Sequence, residues 1–213
     1  MSNTRKIVLY SLLIISVIIM MFPIFYACMI SFMQGGEILR GNLIPDSFTF
    51  ANYQSAFEKV PLFRYLWNSF YVSAVVMIGQ LLVSSLAAYA FVFMAFKGRD
   101  FIFFVFISTM MIPWEATMVP NFITVQKLGW LNSYSSLTIP FFALAFGMFL
   151  LRQQFKTIPK ELFEASQVAG ISRFPFFWNV VLPVSKTSLI TLGIYSFLTT
   201  WNMYLWPLLV TNN

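Results

Sequence analysis

Histidine is absent from this 213-residue chain, cysteine occurs once, and only 9% of the residues are charged. Each shortage excludes something. Without histidine, a His/Cys metal centre has no imidazole to draw on. Cys28 stands alone, so no intrachain disulfide can form. No Gly-x-x-x-x-Gly-Lys-Ser/Thr phosphate loop occurs, so the chain is not expected to bind ATP, and no cofactor is expected. No histidine, paired intramembrane carboxylates or nucleophile set is present to carry chemistry, which argues against an enzyme. Charge this scarce also excludes an ordinary soluble domain, in which about a quarter of residues are charged.

What the chain has instead is apolar surface: 59% hydrophobic residues and a mean hydropathy of +0.78. This is the composition of an integral membrane protein. Stretches free of Asp, Glu, Lys and Arg run from Ile7 to Gly36, Tyr65 to Phe96, Leu128 to Leu151 and Thr187 to Asn213. Each exceeds the ~20 residues a transmembrane helix needs. Phe101 to Gln126 would be a fifth but for Glu115. Reading 101–122 as a span puts that carboxylate within the bilayer, past its midpoint; omitting it strands the polar loops on the wrong sides. The expectation is an all-α polytopic protein with five spans, at 7–32, 68–96, 101–122, 135–153 and 187–210.

Basic residues orient the spans. With the N-terminus in the cytoplasm, the inner segments hold Arg5, Lys6, Lys97, Arg99, Arg152, Lys156, Lys160, Arg173 and Lys186, and the outer ones Arg40, Lys59, Arg64 and Lys127. The net charge of +6 therefore reports membrane topology, and no nucleic-acid partner is expected. The first apolar run is too long for a secretory signal and lacks a small-x-small cleavage site, so it is expected to be retained. Gly35, Gly36, Gly41, Asn42, Pro45 and Asp46 mark an outer loop over 33–67. No internal repeat or separate soluble domain occurs, so 1–213 reads as a single transmembrane domain.

Between the last two spans lies a mostly polar segment, 154–186. Pro159 suits the first turn of a helix over Lys160–Ala169, and Gly170 fits the left-handed position that ends one. Leu162, Ala165 and Ala169 share one side, with Phe163 and Ser166 beside them. Ser172 can cap a second short helix in which Phe174, Phe177 and Val181 share a face, with Leu182-Pro183 ending it. On physical grounds alone such a segment suits either lipid headgroups or a groove on another protein.

The order Glu164-Ala165-Ser166, Gly170, Val180-x-Leu182-Pro183 resembles the cytoplasmic coupling loop of the membrane subunits of ATP-binding-cassette importers, with Ser166 and Val180 in place of the commoner Ala and Ile. Thr49-x-x-Asn52-Tyr53, Asn68-Ser69, Pro113…Pro120, Leu128-Gly129-x-x-Asn132, Pro140 and Trp201-Asn202-x-Tyr204-x-Trp206-Pro207 look like the carbohydrate-import branch, which includes maltose-type and glycerol-3-phosphate-type permeases. The resemblance runs from about Ile7 to Asn213. It implies a permease subunit in the cell inner membrane, importing a carbohydrate or related polyol. The implied partners are a second permease subunit, separate ATP-binding subunits and an extracytoplasmic substrate-binding protein. It also implies that Glu164, Ala165, Ser166, Gly170, Leu182 and Pro183 couple the chain to the ATPase. The family usually has a sixth span and a cytoplasmic C-terminus, whereas this sequence reaches the outer side after five.

For the substrate pathway, the candidates are Glu115, Asn202 and Tyr204. An intramembrane carboxylate should face protein or a wet cavity. Pro113 and Pro120 bracket Glu115, and kinks there would expose backbone carbonyls. Asn202, with Tyr204 and Trp206 close by, offers the amide-plus-aromatic mixture that suits sugars. Helix–helix hydrogen bonding is the alternative role for Glu115 and Asn202. Gly79, Gly147 and the 101–106 phenylalanines read as packing surface. The competing class is an ion-driven secondary transporter, which would ordinarily show repeat symmetry and more intramembrane charge.

Overall fold

In the computed structural model, which describes residues 3–211, long apolar runs have become helices, and no β-strand occurs among those residues. Backbone packing divides the chain into two units, Met1–Leu66 and Trp67–Asn213.

In the first unit, α1 (Asn3–Ser31) keeps an exposed apolar surface throughout its most hydrophobic window. Two short helices, α2 (Gly35–Leu39) and α3 (Ala51–Lys59), fold the loop that follows. The Thr49-x-x-Asn52-Tyr53 residues tie this loop to the end of α1. The Thr49 amide donates to the Phe32 carbonyl at 3.0 Å, and Asn52 Nδ2 donates to the carbonyls of Ser31 and Met33 at 3.1 and 2.7 Å. The Tyr53 hydroxyl donates to Ser31 Oγ at 2.8 Å. Carbonyls at a helix end have no partner within the helix, and Asn52 supplies one.

Helix α4 (Leu62–Phe93) starts six residues before the expected span and is, with α1, one of two described helices that could cross a bilayer unbroken. Three further segments are bent. α5 (Arg99–Ser108) continues as a 3₁₀ turn to Met111, and the chain then swings through 102° into α6 (Trp114–Lys127). α7 (Tyr134–Thr138) and a 3₁₀ turn, Ile139–Phe141, meet α8 (Ala145–Lys156) at 42°. The third bends by 79° between residues 173–184 and 186–201, and with each bent pair counted as one crossing the total reaches five.

The expected span 101–122 is thus not a single rod. Pro113 lacks the N–H that would continue a helix, and it restricts Ile112 to the extended conformation found there, φ −86° and ψ 116°. The expected span 187–210 is also divided. α12 (Lys186–Trp201) stops at Asn202, and α13 (Leu205–Val210) follows.

Breaks inside a membrane protein free backbone carbonyls that must find partners. At the α7–α8 break those partners come from α4. Gln80 Nε2 donates to the Phe141 carbonyl at 2.8 Å, and Ser84 Oγ donates to the Leu144 carbonyl at 3.5 Å. Small residues let these elements approach. A Cβ on Gly79 would overlap the Phe142 ring, and one on Gly147 would sit 2.7 Å from Ser84 Oγ.

Candidate functional site

The polar segment after α8 folds as two helical pieces joined by a tight turn. α9 (Lys160–Val168) begins just after Pro159, which stands one position ahead of the first turn with φ −55° and ψ 134°. Its end is a Schellman turn. The Gly170 amide donates to the Gln167 carbonyl at 3.0 Å and the Ile171 amide to the Ser166 carbonyl at 2.9 Å. Gly170 has a φ of +70°, which a side chain would disfavour.

α9 has two distinct sides. Phe163 and Ser166 face inward, and Ser166 Oγ donates to the Phe163 carbonyl at 2.6 Å. Glu164, Ala165, Ala169 and Leu162 are exposed, and Val168 is 91% exposed. Ser166 therefore lies against its own protein, not beside Ala165 on the outer face. Glu164 forms no ion pair among the described residues.

The second piece departs from expectation. α10 (Arg173–Phe176) runs into a wider π-helical turn, Phe177–Val181, and on into α11 (Leu182–Val184), so the helix continues through Leu182-Pro183. A proline ring collides with the carbonyl four residues back and cannot donate to it; widening the turn relieves both problems. The break comes instead at Ser185, where α12 leaves at 79°. The buried face is also different. Phe176, Phe177 and Val181 are buried, while Phe174 is 64% exposed.

Side chains of α4 that sequence reasoning did not single out hold this segment. The Tyr89 hydroxyl donates to the Arg173 carbonyl at 2.9 Å, and its ring meets Phe177 edge-on at 5.1 Å. Phe93 packs on Phe163 at 5.4 Å and on Phe176 at 5.5 Å, and those two rings are 5.3 Å apart. The inner side of α9 is thereby joined to the end of a spanning helix through aromatic contacts. The only sequence signal for this was aromatics at Tyr89 and Phe93, four apart on one helical face.

The pathway candidates stand at two of the other breaks, those before α6 and before α13. Glu115 is exposed in the first turn of α6, directly after the 102° bend. A helix N-terminus favours a carboxylate, which offsets part of the cost of placing it there. Asn202 caps α12, its Nδ2 donating to the Leu198 carbonyl at 2.7 Å, and Tyr204 is 71% exposed in the gap before α13. The breaks meet through their neighbours: Trp114 and Trp206 are in ring contact at 5.6 Å, edge to face. Trp206 itself is fully buried, its indole N–H donating to the Ser136 carbonyl at 2.8 Å. It serves packing, and the expected aromatic partner of Asn202 is reduced to Tyr204.

No group of three metal-ligating side chains occurs among the described residues.

Comparison with known proteins agrees with this architecture. Residues 80–213 match the family model described as binding-protein-dependent transport system inner membrane component. The chain is 38% identical over 211 residues to the sn-glycerol-3-phosphate transport system permease protein UgpE of Brucella abortus, covering 95% of this chain and 75% of that one. It is 37% identical to the corresponding protein of Agrobacterium fabrum, covering 98% and 77%. A bacterial ABC transporter involved in the import of the acidic polysaccharide alginate superposes on the whole chain with a TM-score of 0.78 at 26% identity, 77% of the solved chain being covered. These likenesses set aside the ion-driven secondary transporter. With a family model over more than half its length and relatives of this identity, the chain belongs to the binding-protein-dependent transport system inner membrane components: it is a membrane permease subunit of an ABC importer, and not an enzyme.

Proposed function

We propose that α9 is the element through which this permease receives the ATPase stroke, docked in a groove of an ATP-binding subunit with the N-terminus of the chain in the cytoplasm. The observation that carries this reading is the two-sidedness of α9. Its outer face combines an unpaired Glu164, the small Ala165 and a 91% exposed Val168, and its inner face is joined to α4. An exposed apolar patch rimmed by charge suits a protein groove. Glu164 pairs there with a basic group, Ala165 permits close approach, and Gly170 fixes the turn. Ser166, Leu182 and Pro183 act from the permease side, holding α9 and the helix that leads to α12. Rigid-body movement of the docked helix then drives alternating access. A second permease subunit completes the pathway, and an extracytoplasmic binding protein delivers the substrate.

Reconstitution with partner subunits tests the docking. Glu164→Lys reverses the pairing charge, and Gly170→Pro cannot adopt φ +70°. Both variants should insert normally and lose substrate-stimulated ATPase activity. Normal stimulation in both would overturn the reading.

The cargo we propose is a carbohydrate or related polyol, passing Glu115, Asn202 and Tyr204 at the helix breaks. Similarity to sn-glycerol-3-phosphate permease proteins makes that compound the first to test. A carboxylate at 115 favours a neutral polyol over a phosphorylated one. Transport of sn-glycerol-3-phosphate alone would therefore place Glu115 off the path.

A further inference from the structure

A cleft of about 410 Å³ opens where the ends of α4, α5 and α8 meet the start of α9. Its charged lining is Arg99, Asp100, Arg152, Lys156, Lys160 and Glu164, a formal excess of 4 − 2 = +2. Arg152 lies deepest. It is only 6% exposed, and its guanidinium carbon sits 3.6 Å above the Phe103 ring, so one face is occupied by an aromatic surface. Its nearest carboxylate is Asp100 Oδ1 at 3.6 Å from Nη2, too long for a good charge-assisted hydrogen bond. That carboxylate is itself 77% exposed and is shared with Arg99, also at 3.6 Å. Arg152 Nε is buried with no hydrogen-bond partner.

A buried guanidinium without its hydrogen bonds is costly, and removing it from water demands an acceptor. We propose that this cleft binds a phosphate-bearing anion, with Arg152 as its anchor and Lys156 and Lys160 at its mouth. A tetrahedral group with several acceptor oxygens matches the Arg fork and the net charge, and the cavity lies within the size range of small-ligand sites, about 300–1,000 Å³. The position suits the phosphodiester of an anionic lipid, because the cleft lies at the end of α4, a helix long and apolar enough to span a bilayer. Its wall of Phe91, Val92 and Phe93 offers apolar surface beside the charge. A free phosphate would satisfy the same groups. An anion held between Arg152 of α8 and Lys160 of α9 would also stiffen α9. That consequence rests on the coupling role proposed above; the binding itself does not.

Binding to the full chain, purified in detergent without partner subunits, tests the site separately from coupling. Native mass spectrometry would compare retention of phosphatidylglycerol with that of phosphatidylcholine, and calorimetry would follow inorganic phosphate. Preferential retention of phosphatidylglycerol identifies a lipid headgroup; binding of inorganic phosphate without lipid preference identifies a free anion. In either case Arg152→Gln should weaken the affinity about tenfold or more. Because Arg152 is buried and its variant can fail to fold, the exposed pair Lys156→Gln and Lys160→Gln provides a second reading, with a loss of about fivefold for each lysine. Equal retention of the two lipids together with no phosphate binding would overturn the proposal. So would anion binding that the lysine variants leave unchanged.

Discussion

Gln80 and Gly170 show how much a single residue can do in this chain. Gln80 supplies, from the middle of α4, the donor that the bent backbone lacks at Phe141. Replacing it with Leu keeps the helix apolar but leaves that carbonyl bare, which should cost about 1–3 kcal/mol. We expect a lower thermal midpoint for Gln80→Leu than for wild type in the same detergent, and an unchanged midpoint would deny the contact its structural role. Gly170 was legible in the sequence, because a glycine closing a polar helix is a local preference of the backbone. Gln80 was not, because its partner is 61 residues away and is exposed only by a bend.

Among the elements, α9 and the end of α4 matter most. Phe163, Phe176, Phe93 and Tyr89 form the contact through which motion of α9 would reach a spanning helix. Phe163→Ala removes one ring from that contact and leaves the exposed face of α9 untouched. The expected result is an importer that still co-purifies with its ATP-binding subunit but transports slowly. Glu164→Lys should instead weaken co-purification. Identical behaviour of the two variants would mean that docking and transmission are not separate functions of the two faces. The helical pattern of α9 could be read from its residues, and so could the turn at Gly170. The continuation through Pro183 could not. A proline normally signals an end, and here a widened turn at Phe177–Val181 accommodates it.

For the molecule as a whole, the proposed pathway coincides with the helix breaks. Glu115, Asn202 and Tyr204 all stand at interruptions of spanning segments, and Trp114 and Trp206 hold two of those interruptions together. If this region lines the pathway, Glu115→Gln and Asn202→Ala should each change the KM or rate of transport without altering the ATPase activity of the resting complex. Unchanged transport kinetics in both would leave these residues as helix-terminal polar groups only. Composition and run length determined that the chain is helical and membrane-embedded, since charge is scarce and continuous apolar runs of more than about 20 residues match a spanning helix, whose backbone bonds are all made within the segment. Residue order determined the polar helix over 160–168 and the turn at Gly170 that closes it, because both are set by local helix chemistry. Only the tertiary structure decided which face of α9 is free, that Ser166 and Trp206 turn inward, and that a buried Arg152 lacks a partner for its Nε. These depend on which distant segments meet, and a long run of apolar residues carries little information about its neighbours because almost any apolar face can pack against another.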